Sequence, residues 1–127
     1  MTERTEVERL LRELHAARVA GQLDRLCALF APAARFRIAG TSDGKPIAID
    51  VSGGGEIRTW LSMLVKTFRL SGYESLSTVI DGERAALHWR VDIHSRITGS
   101  RVSTELVDLI EIKHQLITSY IEFFIPR

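Results

Sequence analysis

The fold is decided by one stretch of the sequence, AALHWRVDIHSRI, which occupies residues 85–97. Apolar and polar side chains alternate along it, and a period of two is typical of a β-strand with one buried face. The turn Thr98-Gly99-Ser100 follows, and then a second alternating run, VSTELVDLIEI, over residues 102–112. These two runs predict neighbouring antiparallel strands joined by a short turn.

Further strands are predicted on both sides of this pair. Residues 73–80 lead into Asp81-Gly82, a strong hairpin signal, and residues 116–125 follow a turn at 113–115 that has no glycine. Two shorter alternating runs, at 36–38 and 47–51, are separated by a turn-rich stretch from Gly40 to Pro46. The sequence therefore predicts a mostly antiparallel sheet of about six strands.

Helical periodicity dominates the first part of the chain. The spacing of Val7, Leu10, Leu11, Leu14 and Arg18 predicts an amphipathic helix that stops at Gly21. A shorter helix is expected from Leu23 to Phe30, ended by Pro32, and a third carries an apolar face from Ile57 to Phe68 and closes at Gly72. Three helices packed on one face of a sheet make an α+β fold.

Composition narrows the classes of function. The chain has 127 residues, which predicts a single domain over 1–127, and its net charge of +1 argues against nucleic-acid and polybasic membrane partners. One cysteine, Cys27, excludes an internal disulfide, and the polar start from Met1 to Glu6 is unlike a secretory signal. We expect a cytoplasmic protein.

The two faces of the sheet differ in character. Between 85 and 97 the even positions carry His88, Arg90, Asp92, His94 and Arg96, whereas the odd positions are mainly apolar. On the last strand the even positions place Glu122 between Tyr120 and Phe124, an unusual neighbourhood for a solvated carboxylate. Either the charged face is wet and the apolar face lies under the helices, or the apolar face is covered by a second copy of the chain.

The order of elements, with the runs AGQLDRL at 20–26 and LFAPAARF at 29–36, resembles the nuclear transport factor 2-like superfamily. That superfamily includes SnoaL-like cyclases, ketosteroid isomerases and limonene epoxide hydrolases. The resemblance implies a cystatin-like cone in which a strongly curved sheet wraps three N-terminal helices around an apolar pocket. It also implies a homodimer formed through the outer sheet face.

Transferring the functional residues of these families gives a mixed result. The general-base and tyrosine positions of ketosteroid isomerases fall on Ile38 and Leu14, and only their protonated aspartate has a counterpart, Asp108. The Arg-x-Asp element of the epoxide hydrolases resembles Arg90-Val91-Asp92, and Glu122 occupies the second carboxylate position. Ketosteroid isomerisation without a base is therefore not expected.

The predicted catalytic residues are Arg90, Asp92 and Glu122. Two carboxylates close together in an apolar pocket rarely both ionise, so one is expected to act as an acid (Asp92) and the other as a base (Glu122), with Arg90 orienting both. The alternative is an exposed cross-strand ion pair. Residues expected to bind the ligand are Asp108, Trp60, Tyr120, Phe36, His94 and Phe124.

No metal and no cofactor are expected, because the four histidines lack the spacing of a ligand set. The leading function is a SnoaL-like or ketosteroid-isomerase-like enzyme that performs isomerisation, cyclisation or epoxide hydrolysis. Its substrate would be a small apolar, polyketide-like or steroid-like molecule. The alternatives are a non-catalytic module that binds a hydrophobic ligand and a protein that uses only its outer sheet for interactions.

Overall fold

The structure is a computed structural model that describes residues 4–42 and 45–125. Its helices are α1 (Arg4–Ala20), α2 (Leu23–Cys27) and α3 (Gly54–Thr67). Its strands are β1 (Phe30–Ser42), β2 (Lys45–Ser52), β3 (Phe68–Asp81), β4 (Arg84–Ser95), β5 (Arg101–Lys113) and β6 (Leu116–Ile125). They form one sheet in the order β2-β1-β6-β5-β4-β3. Only β1 and β6 pair in parallel among the strand pairs described. The predicted α+β fold and six strands are confirmed.

Several predicted boundaries are wrong. Helix α2 ends at Cys27, and Pro32 lies inside the longer strand β1, because the chain turns into the sheet directly after Leu29. Gly72 does not close α3, which ends at Thr67, but lies within β3. The centre of the turn expected at 40–46, Asp43 and Gly44, and the first three residues of the polar N-terminal stretch lie outside the described residues.

The helices cover one face of the sheet, and the core lies between the two layers. Its largest fully buried side chains include Trp89, Tyr120 and Phe36 from the sheet and Leu14 from α1. Strand β3 lies at one edge and is exposed along most of its length. The sheet therefore does not show the strong curling expected of a cone.

The strand register determines which residues share the inner face. Leu87 of β4 pairs with Asp108 of β5, which pairs with Glu122 of β6. Directly paired residues point to the same side of a sheet. Leu87 is an odd-numbered residue of β4, whereas Asp108 and Glu122 are even-numbered residues of β5 and β6. The odd-numbered residues of β4 therefore lie on the same face as the even-numbered residues of β6. The expectation that the even positions of both strands share one face is wrong.

Candidate functional site

Helix α1 brings two ionisable side chains into the interior. His15 and Arg18 are one turn apart on the side of the helix that also carries the buried Leu11 and Leu14. His15 is 4% exposed, and the side chain of Arg18 is 12% exposed. A buried ionisable group needs partners, because its desolvation is costly. Both residues find those partners on the sheet.

Asp108 is the partner of His15. Its Oδ2 atom lies 3.2 Å from Nε2 of His15 and accepts a hydrogen bond of 2.9 Å from Nε1 of Trp89. The residue is fully buried, and its Oδ1 atom has no hydrogen-bond partner. Burial raises the pKa of Asp108 above its usual range. The carboxylate of Glu122 adds to that rise, whereas the hydrogen bond with His15 and the charge of Arg18 oppose it.

Glu122 is the partner of Arg18. The guanidinium donates to both carboxylate oxygens, with the Nη2–Oε1 bond at 3.1 Å, and Tyr120 donates from its hydroxyl to Oε2 at 2.9 Å. Arg18 also donates to the Tyr120 oxygen at 3.2 Å. Burial alone would lower the pKa of Arg18, but the Glu122 carboxylate raises it above its usual value. Burial and the nearby carboxylates raise the pKa of Tyr120, so its phenol stays neutral.

The interior therefore contains a carboxylate pair in two different environments. Glu122 shares two hydrogen bonds with a guanidinium, whereas Asp108 faces an imidazole and an indole. Two carboxyl groups with different hydrogen-bond partners inside an apolar core are an arrangement that suits general acid–base chemistry. We call this set of residues (His15, Arg18, Trp89, Asp108, Tyr120 and Glu122) the buried polar cluster.

The structure does not bring the predicted catalytic residues together. Arg90 pairs in register with Glu105 on the outer face and forms an exposed ion pair with Glu74. Glu122 lies on the inner face, so the prediction that Arg90 and Asp92 share a cavity with Glu122 is wrong. The reason is that odd-numbered residues of β4 pair with even-numbered residues of β5, so the even-numbered Arg90 and Asp92 lie on the face opposite Glu122.

Asp92 and His94 also belong to the outer face. Together with Ser71, Arg101 and Ser103 they line a surface groove of about 280 Å³. The Oδ2 atom of Asp92 lies close to the backbone of Gly72. A Cβ atom added to this glycine would be 2.7 Å from Oδ2. Asp92 thus packs against the backbone of β3 rather than against the interior.

The predicted ligand-binding aromatic residues pack as core. Phe36 and Tyr120 stack with ring centroids 5.4 Å apart, and Phe124 packs its ring against Gly40. Trp60 is half-buried on α3 and packs against the core. Of the residues predicted to bind ligand, Asp108 and Tyr120 join the buried polar cluster.

Two negative findings apply to the described residues. Within 4–42 and 45–125, no three His, Cys, Asp or Glu side chains converge in a way that could hold a metal ion. Over the same ranges, no helix combines the length and the apolar character needed to cross a membrane.

The sequence model of the SnoaL-like domain matches residues 11–120, so the chain belongs to the SnoaL-like domain family. No curated protein matches the chain in sequence.

Solved structures show the same fold at low identity. A provisionally named isomerase from Bacillus subtilis is 20% identical with a TM-score of 0.84, over 99% of this chain and 91% of that one. A nuclear transport factor 2-like protein from Burkholderia xenovorans is 18% identical with a TM-score of 0.80, over 98% and 93%. An LEH-like epoxide hydrolase from Mycobacterium tuberculosis is 16% identical with a TM-score of 0.75, over 95% and 84%. At these identities the similarity shows the fold and not the reaction.

Sequence reasoning missed His15, Arg18 and Tyr73 as site residues. The signal was present for two of them, because His15 follows directly on Leu14 and Arg18 occupies a position of the apolar stripe of α1. A polar residue at such a position is either buried with a partner or functional. Tyr73 had no comparable signal, since its contact with His15 at 2.6 Å depends on a distortion of β3.

Proposed function

We propose that the chain is a cofactor-independent acid–base enzyme that acts on a small apolar molecule by isomerisation, cyclisation or epoxide hydrolysis. The observation that carries the proposal is the pairing of Asp108 with Glu122 across β5 and β6 inside an apolar core. Asp108 serves as the acid, and Glu122 is the second carboxylate. Arg18, and not Arg90 as expected, orients Glu122, because its guanidinium donates hydrogen bonds to both oxygens of that carboxylate.

The chemistry of the cluster supports an acid role for Asp108. Burial raises the pKa of Asp108, which favours its protonated form, and a protonated carboxyl group can donate its proton to an oxygen of a substrate. Within the cluster, the charge of Glu122 disfavours the ionised form of Asp108 more strongly than the charge of Arg18 favours it. This balance suits Asp108 to donating a proton.

The experiment is a turnover screen with epoxides, enones and aromatic polyketides, followed by variants. Asp108→Asn and Glu122→Gln should each lower kcat by at least about a hundredfold, the usual contribution of one general acid or base. Asp92→Asn is the matched control, because it removes a carboxylate from the outer face and should leave kcat unchanged. Full activity of Asp108→Asn would refute the proposal.

A non-catalytic module that binds a hydrophobic ligand is the second candidate. It is favoured by a surface groove of about 360 Å³ whose lining includes the apolar side chains of Ala16, Val19 and Ala20. For this function, Asp108→Asn would keep full ligand affinity, and no compound of the screen would be converted. The two candidates are thus separated by turnover rather than by binding.

We also propose that the chain forms a homodimer through its outer sheet face. Leu109 and Phe123 are 43% and 39% exposed there, and they lie beside their respective cross-strand partners Ile121 and Val107. A contiguous apolar patch on a sheet face is a typical contact surface.

A further inference from the structure

A line of three side chains leads from the core to the surface. Asp108 is 0% exposed and His15 4% exposed, and the exposed fraction of Tyr73 is 39%. Nε2 of His15 faces Asp108 at 3.2 Å, and its Nδ1 faces the Tyr73 hydroxyl at 2.6 Å. Since Asp108 itself touches no solvent, a proton that it gives up toward this side passes to His15, whose other ring nitrogen faces Tyr73.

A distortion of β3 directs Tyr73 toward His15. The register with β4 shifts between Ser71 and Glu74, so Gly72 and Tyr73 lie in an irregular segment. Gly72 has φ +61°, and a Cβ atom there would meet Asp92. Irregularities of this kind redirect side chains and occur often beside active sites. The ring of Tyr73 packs edge-on against His15, with centroids 5.1 Å apart.

Tyr73 and His15 both line a surface groove. It has a volume of about 360 Å³ and is lined by Arg12, His15, Ala16, Val19, Ala20 and Tyr73. Its wall is mainly apolar, and Arg12 contributes a guanidinium group to it. Ligand pockets usually span about 300 to 1,000 Å³, so the volume of this groove lies within the range of small-molecule sites.

Building on the proposed function, we propose that Tyr73 is the catalytic residue that touches the substrate and that this groove is the substrate site. The ligand class is a small apolar ring compound with one oxygen atom that gains negative charge. The Tyr73 hydroxyl donates its hydrogen bond to that oxygen, and Arg12 adds a positive charge at the rim. Asp108 supplies the proton through His15.

The proton transfer balances along the chain. Tyr73 gives its proton to the oxygen of the bound molecule and takes one from Nδ1 of His15, while Nε2 of His15 takes the proton of Asp108. One O–H bond forms on the bound molecule and one O–H bond breaks at Asp108. The negative charge ends on Asp108, where Nε1 of Trp89 donates a hydrogen bond of 2.9 Å. The positive charge of the Arg18 guanidinium also favours the ionised form of Asp108.

The test uses 4-nitrophenol, a single apolar ring with one ionisable oxygen whose absorption spectrum differs between the phenol and the phenolate. Binding is measured by titration in a buffer where the free probe is mainly phenolate. The wild-type protein should bind it and convert it to the spectrum of the neutral phenol. Tyr73→Phe should weaken binding about tenfold or more, the usual value of a hydrogen bond to a charged group.

Two further variants make the test specific. Asp108→Asn should still bind the probe but leave it as the phenolate, because an amide has no proton to release along the chain. Asp92→Asn should behave as wild type, since Asp92 lies on the outer face. Melting curves confirm that each variant is folded.

Unchanged affinity of Tyr73→Phe, or no binding of the probe to the wild type, would overturn the inference. So would the same bound spectrum in the wild type and in Asp108→Asn. If Tyr73→Phe loses affinity as expected while Asp108→Asn retains full turnover on a compound from the screen, the groove stands and the proposed function fails.

Discussion

Asp108 and Glu122 are direct cross-strand partners on β5 and β6, and both carboxyl groups are buried. They differ in what surrounds them. Arg18 and Tyr120 donate to Glu122, whereas Asp108 has an imidazole, an indole and one oxygen without a partner. Two acids that face each other in the sheet thus have different hydrogen-bond partners, because His15 and Arg18 reach them from different positions on α1.

The first prediction concerns the pH dependence of stability. Burial raises the pKa of Asp108 above 3.8, so its contribution to stability is fully present below that value and is lost as the pH rises through the folded-state pKa. Asn at this position does not titrate. The free energy of unfolding of the wild type relative to Asp108→Asn should therefore fall from about pH 4 upward. Urea denaturation at a series of pH values measures this, and a difference that rises with pH would contradict it.

The second prediction concerns the ion pair between Arg18 and Glu122. Arg18→Met alone leaves a buried carboxylate without its cation and should lower the free energy of unfolding by about 3 to 5 kcal/mol. The double variant Arg18→Met/Glu122→Leu should recover much of that loss, because no unpaired charge remains. A double-mutant cycle by chemical denaturation tests this, and simple additivity of the two single variants would contradict it.

The third prediction concerns Arg90, which makes an exposed ion pair with Glu74. Arg90→Met should change the free energy of unfolding by less than about 0.5 kcal/mol, because solvent screens exposed pairs. It should also bind 4-nitrophenol as the wild type does. Arg18→Met and Arg90→Met thus make the same chemical change on the inner and the outer face of the sheet, and the loss in free energy of unfolding should be much larger for Arg18→Met. Equal losses in both variants would show that the assignment of faces is wrong.

The fourth prediction concerns Gly72. Alanine there must adopt φ +61° and must also displace the Asp92 carboxylate, which would lie 2.7 Å from the new Cβ atom. Gly99→Ala is the matched control, because its φ is +77° and nothing lies within 4 Å. Each change should cost about 1 to 2 kcal/mol for the backbone, and Gly72→Ala should cost more. Thermal denaturation compares the two, and equal costs would mean that Asp92 yields freely.

The fifth prediction concerns the proposed dimer. Leu109→Glu/Phe123→Glu places two like charges on the exposed apolar patch of the outer face. If that patch joins two copies, sedimentation velocity should show a dimer for the wild type and a monomer for the variant. A monomeric wild type would exclude the interface. Because both residues are exposed in the single chain, the variant monomer should remain folded.

The amino-acid sequence determined the fold class and much of the order of elements. Alternation over residues 85–97 and 102–112 specified paired strands, because a period of two fits only an extended chain with one buried face. The spacing of Leu10, Leu11 and Leu14 specified α1 in the same way. Such patterns are local, so a single sequence displays them.

Only the tertiary structure decided which charged residues are inside. The pairing of Leu87 with Asp108 puts Arg90 on the outer face and Glu122 on the inner one, and no local pattern fixes that register between two strands. Arg18 meets Glu122 across 104 positions of the chain. The contact of Tyr73 with His15 likewise depends on an irregular segment of β3 next to Gly72. Such contacts join segments that are far apart in the sequence, and they form only when whole helices and strands pack together. The sequence around either residue of such a contact therefore does not predict it.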